Sequence, residues 1–182
     1  MTIYNWFINI FWLIIIFYWV VSSSKTGKVV KREKKWQGLW LPTAFIILLL
    51  LQIYVFRFDL IPHITLLEVI GVILCGLGVA FALWARIYLG RNWNAKPSVQ
   101  EGHELVTSGP YKFVRHPIYT GVMTAILGSV LVDGTLWLII FVLFGVELIR
   151  RISVEEKLMM DLFPTTYPKY MKRTKALVPF IW

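Results

Sequence analysis

Long apolar runs constrain this chain more than any other feature. The hydrocarbon core of a bilayer is about 30 Å thick and takes roughly 20 apolar residues in helical form. Three segments meet that requirement: Tyr4 to Val21, Leu39 to Phe56 and Ile64 to Tyr88. From Ile118 to Ile149 the chain stays apolar except around Val132, Asp133 and Gly134, whose turn chemistry predicts a helical hairpin. The expected fold is all-α, a polytopic transmembrane helical bundle of about five spans whose last two form a tight hairpin. Residues 1–87 are the N-terminal membrane helices with a basic loop, and residues 88–182 hold most of the remaining polar sequence. The first segment lacks a basic leader and a small-residue cleavage site, so it reads as a retained span.

Charge sets the expected orientation. The loop after the first span carries Lys25, Lys28, Lys31, Arg32, Lys34 and Lys35 against Glu33, which assigns it to the cytoplasm and the N-terminus to the outside. With five spans, Arg86 to Arg115 and the tail from Arg150 fall on the same cytoplasmic side. A reporter fused at residue 1 should therefore face outward; a cytoplasmic signal would overturn this topology. The formal net charge of +9 is explained by topology and anionic lipid headgroups, so nucleic acid is set aside as a partner. The single cysteine, Cys75, lies in an apolar run, which rules out an intrachain disulfide or a cysteine-based zinc site, and no metal is expected. His63 and Glu68 read as structural, and no internal repeat is visible.

Chemistry is then confined to two polar blocks. In the first, Gly102, Gly109 and Pro110 punctuate an irregular segment. Pro117 suits the first turn of a helix, because its missing N–H would be unpaired there. The helix end it opens, flanked by Arg115 and His116, favours an anion. His116 is equally open to a capping role, Tyr111 and Tyr119 to membrane-interface positions, and Arg115 to phosphate anchoring. In the second block Glu147, Arg151 and Glu155 recur every four residues, so they share a helical face as ion pairs. Glu147 sits close to the hydrocarbon, where an ionisable side chain is costly. That helix should stop before Pro164, and the final "YPKYMKRTKALVPFIW" reads as an interfacial anchor.

The ordered combination "GHELV", "GPY", "RHPIY", a hairpin, "EE" and a final "PF" resembles the isoprenylcysteine carboxyl methyltransferase family and its phospholipid methyltransferase relatives, over roughly residues 88 to 182. The resemblance implies an integral membrane enzyme that transfers a methyl group from S-adenosylmethionine to a lipophilic acceptor, leaving S-adenosylhomocysteine. In the name-giving branch the acceptor is a prenylcysteine carboxylate. It also implies cofactor contacts at His103, Glu104, Leu105, Val106, Tyr111, His116, Pro117, Ile118, Tyr119 and Glu155, with Arg151 and Glu155 as catalytic residues and Arg151 and Glu147 toward the substrate. Lys96 stands where the eukaryotic carboxyl methyltransferases have a glutamine, so that contact is not carried over.

In this reading the cofactor site lies on the cytoplasmic side. The membrane is the plasma or inner membrane in a prokaryote and the endoplasmic reticulum in a eukaryote. The implied partners are a lipophilic or prenylated substrate and membrane lipids, with no obligate protein partner. Methylation of a phospholipid amine, or of a lipid-like phenol or thiol, is the nearer alternative; a non-catalytic lipid-binding module is the further one. A nicotinamide-dependent reductase on the same scaffold lacks support, because no Rossmann glycine pattern is present.

Overall fold

The computed structural model describes residues 2–23, 29–32, 61–94 and 98–178, with backbone only for 29–32 and Gln100. The expected second span, most of the first basic loop and Lys96 lie outside these residues. The described helices are α1 (Ile3–Ser23), α2 (Thr65–Leu89), α3 (Pro117–Asp133), α4 (Thr135–Leu162) and α5 (Tyr167–Arg173). Two short strands depart from the all-α expectation: β1 (Val29–Arg32) pairs antiparallel with β2 (Ser98–Gln100). The segment after α1 is thus tied to the segment after α2.

Helices α1 and α2, the latter running on through a single 3₁₀ turn at Gly90–Asn92, are long and apolar enough to cross a bilayer. Helix α3 is apolar but has 17 residues, about 26 Å of rise, and α4 continues well past its apolar part for 28 residues. The hairpin between them forms at the expected place, turning on Gly134, whose φ of 73° no L side chain adopts easily. As expected, α4 ends ahead of Pro164, with Phe163 as its C-cap.

Outward faces of α1, α2 and α4 carry exposed Phe7, Phe17, Leu77, Trp84, Val142 and Ile149. That inverts a soluble surface and matches lipid contact.

Among the described elements, α2 and α3 make the most extensive contact, and small residues make it possible. Gly71, Cys75, Gly78 and Ala82 face Gly121, Ala125, Gly128 and Val132. A Cβ built on Gly78 would lie 2.4 Å from the Ala125 nitrogen and 2.6 Å from the Gly121 oxygen; one on Gly128 would lie 2.4 Å from the Cys75 nitrogen. Lipid tails are as apolar as leucine, so helices associate in a bilayer through such close backbone packing. A polar clasp joins α1 to this pair. Trp12 stacks on Trp137 with centroids 5.1 Å apart, and its Nε1 donates to Ser129 Oγ at 2.9 Å.

Arg86 closes the end of the bundle next to the polar blocks. It is 2% exposed and donates to the Ser22 carbonyl at 3.1 Å and the Gly90 carbonyl at 3.0 Å, while its guanidinium lies 4.3 Å from the Trp93 ring centroid. One cation thereby satisfies carbonyls at the C-terminal ends of both α1 and α2 and fixes the indole that borders the cavity described next.

Candidate active site

The approach to α3 is held by backbone pairing with the C-terminal segment. Val114 bridges Lys175 in parallel, the Arg115 and His116 amides donate to the carbonyls of Lys175 and Ala176 at 2.8 and 3.0 Å, and Thr120 Oγ1 donates to the Leu177 carbonyl at 2.7 Å. Tyr170 adds its hydroxyl, donating to the Tyr111 carbonyl at 2.6 Å. The described part of the expected interfacial anchor therefore divides: Tyr167, Tyr170 and Ala176 are buried, while Lys169, Lys172, Arg173 and Lys175 stay exposed. Extended backbone needs partners, and here it finds them in the segment before α3.

Pro117 is the first residue of α3, as expected, and His116 is its N-cap residue but makes no side-chain capping bond. Its imidazole instead stacks on Tyr119, with centroids 5.5 Å apart and planes 6° from parallel. It lies between two carboxylates of α4, with Nδ1 3.6 Å from Glu155 Oε2 and Nε2 3.3 Å from Glu156 Oε1. Tyr119 and Arg151 converge on the other Glu155 oxygen: the phenol donates at 2.6 Å and Arg151 Nε at 2.8 Å. Beyond Glu156, Arg115 Nε donates to its Oε1 at 2.7 Å, and the same guanidinium donates to the carbonyls of Met171 and Thr174. Arg151, Glu155, His116, Glu156 and Arg115 thus form one chain of charged and polar groups across α3, α4 and the C-terminal segment.

Two expectations change. Arg115, with its side chain 11% exposed, is turned inward to Glu156 and backbone carbonyls rather than outward to lipid phosphates. Only the second of the two expected ion pairs, Arg151 with Glu155, is present among the described residues. The buried Glu147 makes no hydrogen bond or ion pair there.

Burial opposes ionisation of Glu156, but hydrogen bonds from His116 and Arg115 outweigh it and hold the carboxyl below its ordinary 4.5. A carboxyl depressed in the folded state contributes stability present above the unfolded value and lost as pH falls through the folded one. Glu156→Gln should therefore cost about 2 kcal/mol at neutral pH and make acid destabilisation shallower below about pH 4.5. Thermal melting in detergent across that range checks both effects.

The cavity beside this chain is lined by His103, Glu104, Leu105, Val106, Tyr111, His116, Ile118, Tyr119 and Glu155, nine of the ten expected cofactor residues. Pro117 is fully buried beneath it, and neither Arg151 nor Glu147 lines it. Arg151 borders the site through Glu155 and through its guanidinium, 5.5 Å from the Tyr119 centroid. Burial lowers the pKa of His103 from the ordinary imidazole value, favouring its neutral form. Burial also raises Tyr111, helped by Glu155, and pushes Tyr170 up to about 12 despite the Thr174 hydrogen bond. Both phenols remain neutral donors.

Sequence reasoning missed Asn92, Trp93 and Asn94 on one wall and Leu158 and Met159 on another. The last two stand three and four residues after Glu155, so helical spacing places them on its face. Asn92 accepts from the Glu104 amide at 3.4 Å, linking the wall after α2 to the loop carrying His103.

Residues 69–161 match the sequence pattern of the isoprenylcysteine carboxyl methyltransferase (ICMT) family, over just half of the chain. The chain belongs to the ICMT family. It is 33% identical over 125 residues to the protein-S-isoprenylcysteine O-methyltransferase of Xenopus laevis, covering 66% of this chain and 43% of that one. It is 28% identical over 162 residues to the cobalt-zinc-cadmium resistance protein CzcN of Cupriavidus metallidurans, covering 88% of this chain and 61% of that one. The chain spans about half the length of the curated relatives it matches.

The fold resembles the solved structure of the eukaryotic intramembrane Ras methyltransferase ICMT, with a TM-score of 0.57 at 21% identity, covering 82% of this chain and 54% of that one. The ICMT match and the two apolar helices agree in describing an integral membrane protein.

Proposed function

We propose that this chain is a membrane methyltransferase that uses S-adenosylmethionine and acts on a lipophilic acceptor, with the carboxylate of a prenylcysteine-like molecule as the acceptor its family favours. The observation that carries this reading is convergence. Two segments separated by a helical hairpin, residues 103–119 and the helical face at Glu155, border one cavity in the motif order of the ICMT family.

The donor set suits the cofactor, a zwitterion with an added sulfonium charge. Glu155 offers a carboxylate to its ammonium, while His116 and the N-terminal end of α3 offer donors to its carboxylate. Leu105, Val106, Ile118 and the Tyr111 ring offer an apolar enclosure for its base. When bound, the cofactor supplies an electrophilic methyl group, so the protein's work is alignment rather than acid–base chemistry.

Arg151 is the residue for the acceptor. Its Nε donates to Glu155, which fixes the plane of a guanidinium whose fork matches a carboxylate in bidentate fashion. An acceptor carboxylate is ionised at neutral pH and needs no base. Glu147, four residues before Arg151 and buried on α4, lies one turn farther toward the hydrocarbon, where the acceptor's lipid tail would lie. A lipid-tailed acceptor gains nothing by crossing water, so access is lateral, from the bilayer, to a site on the cytoplasmic side, an orientation supported by the basic bias of the loops.

The test supplies purified protein with a prenylated cysteine analogue bearing a free carboxyl, its carboxamide, and a soluble cysteine analogue without the tail. Methylation of the first alone is the expected result. Equal methylation of the soluble analogue would remove the case for lateral access, and methylation of a phospholipid amine instead would move the enzyme to the other branch of acceptors.

A further inference from the structure

A second cavity, of about 720 Å³, shares Leu105 and Tyr170 with the first as a common wall. Its character is different. Lys112, Lys169 and Arg173 surround it, the hydroxyl-bearing Thr107 and Thr166 stand among them, and no acidic side chain lines it. Among the described residues none of the three cations pairs with an acid. Lys169 and Arg173 stand one turn apart on α5, a spacing at which like charges repel, and Lys112 reaches the cavity from the loop before α3. Three cations from two segments, without an acidic partner among the described residues and with threonine hydroxyls on the same cavity wall, are the donor set that phosphate recognition uses: a planar guanidinium fork supplemented by ammonium point charges.

The position of the cavity points to the source of the phosphate. Lys112 precedes the first residue of α3 by five positions, a reach of at most about 17 Å, so the site lies close to the end of a membrane helix. An exposed apolar side chain stands beside one of the cations: Phe113 is 51% exposed, with its ring centroid 5.9 Å from Lys112 Nζ. Apolar groups flanking cations suit the headgroup layer, where tails and phosphates are both within reach.

We propose that this cavity is a headgroup site for an anionic phospholipid, in which Arg173 and Lys169 from α5 and Lys112 from the loop grip the phosphate and seat the C-terminal segment on the membrane surface. It is separate from the cofactor cavity, and nothing in the methyl-transfer chemistry requires it.

The test titrates the purified full chain, in non-ionic detergent, with short-chain phosphatidylglycerol, short-chain phosphatidylcholine and inorganic phosphate, counting bound molecules by native mass spectrometry. Phosphatidylglycerol should bind in preference to phosphatidylcholine. With about five-fold per cation near an anionic headgroup, the Lys169→Gln/Arg173→Gln double variant should bind it about thirty-fold more weakly and Lys112→Gln about five-fold more weakly. Lys172→Gln, on α5 but outside the cavity, should change binding less than two-fold. Inorganic phosphate competing as well as the lipid would retain the site and make its natural ligand a free phosphate. Unchanged binding in the double variant and in Lys112→Gln, or an equal loss in Lys172→Gln, would overturn the proposal by reducing the effect to none or to general surface charge. Because Lys112 lies outside α5, its variant still decides the matter if the double variant fails to fold.

Discussion

Glu155→Gln is expected to weaken S-adenosylhomocysteine binding at least about ten-fold while the protein still inserts and melts cooperatively. Glu155 is the junction of the site: one oxygen accepts from Tyr119 at 2.6 Å and from Arg151 at 2.8 Å, and the other faces His116 at 3.6 Å. The amide keeps the shape and one acceptor, but it removes the charge that would face the cofactor's ammonium and leaves Arg151 without its counterion. Hydrogen bonds to charged groups are worth about 1.5–3 kcal/mol, which is roughly ten- to more than a hundred-fold in affinity. His116→Ala should also lose affinity, because it removes the ring stacked on Tyr119 and held between Glu155 and Glu156. Calorimetry in detergent separates loss of binding from loss of fold. Wild-type affinity in both variants would remove the cofactor assignment.

Gly121→Val is expected to be the most damaging single substitution outside the site. A Cβ at position 121 would lie 2.6 Å from both the Ala82 nitrogen and the Gly78 oxygen, which are backbone atoms that cannot swing away. Helices α2 and α3 would have to separate along their whole seam. Overpacking alone typically costs 1–3 kcal/mol, and here the close approach that replaces the hydrophobic drive in a bilayer is lost as well. Aggregation or a melting temperature lowered by more than about 10 °C is the expected outcome, set against Gly145→Ala as a control. At Gly145 an added Cβ first meets the flexible end of Met123 at 3.6 Å, so little should change. If Gly121→Val melted like the wild type, the seam would not be the contact that holds the bundle together.

The legible parts of this molecule were those written in local sequence. Pro117 marked the start of α3, Gly134 the hairpin and Pro164 the limit of α4, because each is a backbone constraint carried by one residue. Nine of the residues lining the cavity were among those implied by the family resemblance, whereas the walls at Asn92–Asn94 and Leu158–Met159 were not. Less was legible where long-range pairing decides. The capping and stacking roles of His116 differ only in where Glu155 and Glu156 sit, and those belong to a helix beyond the hairpin.

The C-terminal tyrosines and lysines have the composition of an interfacial anchor, yet backbone pairing of residues 174–177 with the approach to α3 places Tyr167, Tyr170 and Ala176 inside. The pairing of β1 with β2 has no signal in four residues of "VVKR". The glycine seam was readable in principle, since Gly71 and Gly78, like Gly121 and Gly128, stand seven apart. Spacing within an apolar run, however, does not say which helix the small residues face, because that is decided by long-range packing.

The proposed cofactor site joins residues before and after the hairpin and serves a lipid-borne acceptor. Its most direct test incubates the purified full-length protein with methyl-labelled S-adenosylmethionine and a lipid extract of the host cell, alongside Glu155→Gln. Label should enter a single lipophilic product class with the wild type, and little or none with the variant. No label in any lipid fraction from a wild-type preparation that melts cooperatively, or equal labelling by Glu155→Gln, would contradict it.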